Sequence, residues 1–148
     1  MANYAENRKA RFDYEILEKY ESGIELLGTE VKSVRGGQMS LEGAFVIVRG
    51  GEAFLINANI PPFQPKNAPQ DYDPLRNRKL LLTKKEIAEL AASEKNKSLT
   101  IVPLTVYNKA RKIKVNIALV KGKKKFDKRE TLKKRDTDRE LRREYKGR

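Results

Sequence analysis

The last twenty-eight residues of this chain cannot contribute to a core, and that confines the fold to what precedes them. Residues 121–148 hold fourteen Lys or Arg and six Asp or Glu, a net of +8. Only Phe126, Leu132, Leu141 and Tyr145 are large and apolar there. Four such side chains cannot offset the entropy of ordering twenty-eight residues, so the segment is expected to be disordered when free. Glu130 stands four residues before Lys134, and Asp138 four before Arg142. That is the favoured order for helical ion pairs. The segment therefore reads as a basic tail that becomes helical on a polyanion. Residues 1–120 read as the folded domain that carries it.

The chain's formal charge is +13, so the tail holds +8 of it and the domain the remaining +5. Such asymmetry points to nucleic acid or an anionic membrane. No run approaches the ~18 apolar residues of a spanning helix, and the tail lacks an apolar face wide enough to insert, so no membrane partner is expected. The sequence has no Cys and no His. That removes disulfides, zinc–thiolate sites and histidine acid–base chemistry together. The first residues, MANYAENRKARF, contain no apolar signal core, so a cytoplasmic protein is expected.

Within the domain, period two dominates. Phe12, Tyr14, Ile16 and Tyr20 fall on one side of a predicted half-buried strand. Glu21-Ser22-Gly23 reads as a turn, after which Ile24-Glu25-Leu26-Leu27 returns as a partner strand. Thr29 is placed to cap a helix over residues 30–35, stopped by Gly36-Gly37, with Val31 and Val34 facing the core and Lys32 and Arg35 outward. Ala44-Phe45-Val46-Ile47-Val48 and Ala53-Phe54-Leu55-Ile56 flank Arg49-Gly50-Gly51-Glu52. Two central glycines suit a type I′ hairpin turn. Residues 61–78 contain five prolines and read as a long loop ending in Arg76, Arg78 and Lys79. Thr83 and Glu86 form a capping box before a helical stripe of Ile87, Leu90 and Ala91. Two alternating strands follow, over residues 99–107 and 113–119, around a basic loop at residues 108–112. Pro103 puts the first at an edge or bulge. The whole predicts a mainly β chain: a small antiparallel barrel, closed or partly open, of the oligonucleotide-binding type, with two or three flanking helices.

Catalysis at neutral pH usually draws on a His, a Cys, a bound metal or paired carboxylates. The first two are absent, alternation spreads Glu18, Glu21, Glu25 and Glu30 over different faces, and neither Gly-Gly pair is followed by Lys-Ser/Thr. No enzyme, cofactor or metal site is expected. Binding is the better class. Arg8, Lys9 and Arg11 form a basic clamp ahead of Phe12 and Tyr14. Aromatics and cations interleave again from Tyr107 to Lys112 and around Phe126. A ring beside cations can stack on an unpaired base while the cations hold phosphates. A structural ribosomal protein with a basic extension would share these features.

Four ordered stretches resemble the small protein B (SsrA-binding protein) family. They are Asn7-Arg8-Lys9-Ala10-Arg11-Phe12-Asp13-Tyr14, Gly28-Thr29-Glu30-Val31-Lys32-Ser33-Val34-Arg35, Arg76-Asn77-Arg78-Lys79-Leu80-Leu81-Leu82 and Lys121-Gly122-Lys123-Lys124-Lys125-Phe126-Asp127-Lys128-Arg129. The resemblance implies a non-enzymatic protein, monomeric when free. It would bind the tRNA-like domain of transfer-messenger RNA and bring it to stalled ribosomes for trans-translation. It also implies RNA contact at the positions of Asn7, Tyr14, Glu21, Leu81 and Lys114, to which the residue reading adds Arg8, Lys9, Arg11, Lys32, Arg35, Arg76 and Arg78. It implies that Lys123, Lys124, Phe126, Asp127, Lys128 and Arg129 belong to a tail entering the 16S rRNA decoding centre and the empty message channel. Phe126 stands where many members carry Tyr or His, so it offers a stacking face without a side-chain hydrogen bond.

Overall fold

The computed structural model describes residues 3–64 and 71–122, with the backbone alone at residue 11. Lys123, Lys124, Phe126, Asp127, Lys128, Arg129 and the tail's expected ion pairs lie outside the described residues. In chain order the elements are β1 (Asn3–Glu6), α1 (Arg8–Asp13), β2 (Tyr14–Ile24), α2 (Gly28–Arg35), β3 (Phe45–Arg49), β4 (Glu52–Ile56), β5 (Arg78–Leu81), α3 (Lys84–Glu94), β6 (Leu99–Lys109) and β7 (Lys112–Gly122).

Every strand pairing is antiparallel, and the order β6-β3-β4-β5-β2-β7 closes on itself because β7 returns to β6. This is the expected small barrel, ringed by six strands. The seventh, β1, lies outside the ring. It pairs with Thr105, Val106 and Tyr107 of β6, on the strand edge that β3 uses at Ile101. The expected β3–β4 hairpin is present, with Gly50 and Gly51 at φ 59° and 75°. The expected capping box is present too: the Thr83 N–H donates to Glu86 Oε1 at 3.0 Å, and the Glu86 N–H to Thr83 Oγ1 at 3.1 Å.

Four expectations are corrected. Residues 3–13 form β1 and α1 rather than a loose clamp and the start of a strand. Glu21-Ser22-Gly23 is no turn; β2 runs straight through it, paired to β7 at all three residues. Leu27, not Thr29, is the N-cap of α2. The basic loop at 108–112 is a tight turn in which Ala110 and Arg111 take φ of 51° and 66° without glycine. Such left-handed backbone costs on the order of 1 kcal/mol or more per residue and persists where the surroundings hold it. One such tie is visible: Arg35 Nη2 donates to the Arg111 carbonyl at 3.0 Å.

Two bulges decide what faces the core. In β7 the alternation is regular. Ile113, Val115, Ile117 and Leu119 enter the barrel interior, while Ala118 and Val120 point out into a second apolar cluster with Ala10 of α1. In β2 the register shifts between Ile16 and Glu18. Tyr14 and Ile16 therefore pack on the outer cluster, whereas Tyr20 belongs to the interior. In β6 the shift falls between Pro103 and Thr105. Val102 and Leu104 pack outside, and Val106 inside. A bulge inserts one unpaired residue, and with a side-chain period of two that insertion exchanges the faces.

One charged group is sunk among these elements. Glu30 of α2 has a side chain with no solvent contact, and it faces Arg78 of β5, equally sealed. Arg78 donates to Glu30 Oε2 from Nε at 3.0 Å and Nη2 at 2.6 Å, and to the Ala58 carbonyl from Nη1 at 2.7 Å. Arg76 adds a bond from Nε at 3.0 Å and another from Nη2 to Oε1. The Leu27 N–H donates to Oε1 at 2.8 Å, which caps the helix start. The Tyr72 hydroxyl lies 3.0 Å from Oε2 and 2.7 Å from the Ile60 carbonyl. Burial alone would raise the Glu30 carboxyl, but Arg76, the Leu27 amide and Arg78 overcome it and hold it at about 2.

Glu30→Gln leaves two guanidinium groups without their anion, one of them fully enclosed. The expected cost is about 3–5 kcal/mol, the range for breaking a buried pair from one side, read as a lower urea midpoint. The pH dependence has a definite sign. Because the folded carboxyl lies below its ordinary 4.5, its stabilisation is complete above that value and is lost as pH falls toward 2. Circular dichroism across that window should show acid loosening in the native protein and a shallower dependence in Glu30→Gln.

Candidate nucleic-acid interface

Outward-facing residues of four adjacent strands fall into one row. Tyr107 of β6 pairs with Lys114 of β7, Lys114 with Gly23 of β2, and Gly23 with Leu81 of β5. Lys114 faces outward because Ile113 and Val115 on either side of it face in. Leu81 does so because its neighbour Leu80 is core, and Leu81 itself stays 49% exposed. Neighbouring strands lie about 4.8 Å apart, so the row spans roughly 15 Å.

Gly23 matters to this row through what it lacks. A Cβ there would sit 3.1 Å from the Leu81 Cβ and 3.3 Å from its Cδ1. The missing side chain thus lets Leu81 pack closely onto β2 beside Lys114.

Beside the row lies a groove of about 320 Å³ whose lining includes Gly23, Leu81 and Lys114. Ile24, Leu26, Val31 and Ile113 give it an apolar floor, while Arg35, Arg111, Lys112 and Lys114 stand around it. No lining residue is acidic. The sequence brings these cations together in two ways. Arg35 comes from the last turn of α2, and the tight turn between β6 and β7 delivers Arg111 and Lys112. A polyanion gains attraction from all four, and each phosphate neutralised makes binding more salt-dependent.

Glu21 lies one step along, opposite Asn116. Its carboxylate accepts the Tyr107 hydroxyl and also Lys109 Nζ, at 3.1 and 3.3 Å. Those bonds, from Tyr107 first and Lys109 next, pull the Glu21 carboxyl below its ordinary range. Burial, with Glu21 adding to it, pushes Tyr107 up to about 12, so the phenol keeps its proton at neutral pH.

The remaining expected residues are dispersed. A second groove, of about 440 Å³, gathers Asn7, Lys9 and Tyr14 with Asp13, Glu42 and Phe45. Tyr14 and Gly23 are nine residues apart on one strand, so the two grooves are separated by roughly 30 Å. Asn7 is occupied locally: its Oδ1 accepts the Ala10 N–H at 3.3 Å, and its Nδ2 donates to the Pro103 carbonyl at 3.0 Å. Arg8 is exposed and 3.5 Å from Glu6. Lys32 is exposed on α2 and lines neither groove. The side chain of Arg11 lies outside the described residues. Arg78 requires correction: it is fully enclosed, its charge is met by Glu30, and it has no surface to offer a phosphate. Arg76 is partly exposed and shares the same carboxylate. The residues that pattern reading missed are Gly23, hidden inside an apparent turn, and the floor of Ile24, Leu26 and Val31. Arg111 and Lys112 were visible only as a basic stretch.

A closed antiparallel barrel that displays cations around a shallow apolar floor, on a chain of charge +13, has the make-up of a nucleic-acid-binding barrel. The SmpB protein family matches residues 4–147. The SsrA-binding protein of Thermosynechococcus vestitus is 51% identical over 144 residues, covering 97% of this chain and 95% of that protein. The SsrA-binding protein of Latilactobacillus sakei is 53% identical, covering 97% and 92%. A solved structure from work described as "tmRNA-SmpB: a journey to the center of the bacterial ribosome" superposes with a TM-score of 0.68 at 48% identity, covering 81% of this chain and 84% of that one. The chain belongs to the SmpB family.

Proposed function

We propose that this protein is a non-enzymatic, cytoplasmic RNA-binding adaptor. It binds the tRNA-like domain of transfer-messenger RNA and delivers it to stalled ribosomes in trans-translation. The observation that carries this reading is the acid-free groove holding Arg35, Arg111, Lys112 and Lys114 beside Leu81, on a barrel of a family whose members are named for binding SsrA. Family membership supports the identity of the RNA, and the cations of the groove support this choice of surface. No described helix is long and apolar enough to cross a membrane, and no described cluster of carboxylates is arranged to hold a metal.

The division of labour follows from charge. The barrel chooses the RNA with a shaped surface, and residues 121–148 carry a charge of +8 suited to rRNA. Strand β7 continues to Gly122, two residues past the expected boundary at 120, and in this reading the tail begins after it. In this reading Lys123, Lys124, Phe126, Asp127, Lys128 and Arg129 engage the decoding centre and message channel. The groove with Lys114 is the principal RNA contact of the barrel. The groove with Asn7, Lys9 and Tyr14, together with Arg8 and Arg11, extends the footprint to roughly 30 Å along β2.

Two measurements test it. A chain ending at Gly122 should keep its affinity for the tRNA-like RNA within a few-fold while losing peptide tagging on stalled ribosomes. Equal loss of both would refute the division. Lys114→Ala should weaken RNA binding and lower the log–log salt slope by roughly 0.7–0.9, the contribution of one phosphate. An unchanged slope would show that Lys114 meets no phosphate.

A further inference from the structure

Glu21 presents a problem for an RNA-binding surface, because a carboxylate repels phosphate. Its oxygens are already engaged, however, by the Tyr107 hydroxyl and the Lys109 ammonium. Both partners come from β6, and Tyr107 is the end member of the outward row that includes Lys114, Gly23 and Leu81. The sequence already shows Tyr107 among cations, with Lys109, Arg111 and Lys112 following it. The geometry points to Tyr107 as a base-stacking contact of the RNA surface, with Glu21 as the positioning residue that fixes its ring and the Lys109 head group.

The argument rests on the reading that this face binds RNA, and it adds who does what. A phenol tethered through its hydroxyl has one orientation to present, so less rotamer freedom is lost when a base stacks on it. Lys114 is directly opposite Tyr107, within reach of the phosphate attached to a base on that ring. The groove that Lys114 and Leu81 both line lies beside this pair and gives a neighbouring nucleotide a shallow apolar floor. The carboxylate itself touches no nucleotide. Its negative charge is met by Lys109 and by the Tyr107 proton, so it does not weigh against the four nearby cations.

The test uses the full chain and the isolated tRNA-like domain of transfer-messenger RNA, with affinity measured over a series of salt concentrations. Tyr107→Leu keeps the apolar bulk of a half-buried side chain while removing the aromatic face. It should weaken binding by roughly 5- to 150-fold, the range of one base stack, with the salt slope unchanged because no charge is lost. Tyr107→Phe, which keeps the ring, should cost only a few-fold. Glu21→Ala should weaken binding in the native background and by clearly less in Tyr107→Leu, where only the Lys109 tether is left to lose. Glu21→Gln, whose amide oxygen still accepts the phenol, should stay within a few-fold of native. Thermal melts alongside identify any variant that fails to fold, and Tyr107→Phe with Glu21→Gln then carry the comparison. Native affinity in Tyr107→Leu would overturn the proposal. So would a Glu21→Ala loss of the same size in both backgrounds, which would mean that Glu21 meets the RNA itself. A native protein with no preference for the tRNA-like domain over an unrelated hairpin would overturn the functional reading and this proposal with it. Native binding that Tyr107→Leu matches overturns this proposal alone.

Discussion

A carboxylate sealed from water, Glu30, decides where three separate stretches of this chain can lie. It holds the first amide of α2's approach through Leu27, the loop before β5 through Tyr72 and Arg76, and β5 itself through Arg78. A charge in such a place is tolerable only when its partners are complete, because each missing partner exposes the full cost of desolvation. The network is therefore close to all-or-none. Its geometry also fixes the Ala58 carbonyl through the other arm of Arg78. The long proline-bearing loop is thus anchored at its far end by polar bonds rather than by apolar burial.

The candidate binding surface depends on this anchor. Arg35 lies five residues after Glu30 on α2, and Leu81 three residues after Arg78 on β5. Arg35 in turn holds the turn carrying Arg111 through a carbonyl bond. A buried cation and a buried anion thus set the position of exposed ones. Two of the four stretches that resemble the small protein B family meet in this network, at Glu30 and at Arg76 with Arg78. At Glu30, Arg76 and Arg78 the shared residues are tied to packing.

Most of the fold could be read from the residues. The Gly50-Gly51 hairpin, the Thr83–Glu86 cap and the bulge at Pro103 each have a local cause, and local causes leave local traces. The failures share a different origin. A bulge at Ile16/Glu18 leaves no mark in composition, yet it moves Tyr14 and Ile16 to the outside and Tyr20 to the inside. A continuous period of two therefore placed them together. Glu21-Ser22-Gly23 has turn-like chemistry, but Gly23 serves a close approach by Leu81 across the sheet, which only the paired strand reveals. Arg78 had the opposite difficulty. A cation in a basic run looks solvated until its carboxylate, forty-eight residues away, is found beside it. Of the candidate interface, Leu81 and Lys114 came from the resemblance and line one groove; its apolar floor did not announce itself at all.

The placement of β1 has a consequence for how this protein behaves in a crowded solution. Strand β6 is eleven residues long, and β3 meets it only at Ile101. Its stretch around Val106 would be a bare row of amides and carbonyls, a ready template for another chain's strand. Four residues near the N-terminus close that row, and they end in a strand too short and polar to invite a further partner. The first described strand thus satisfies a backbone edge that the barrel's own ring leaves open.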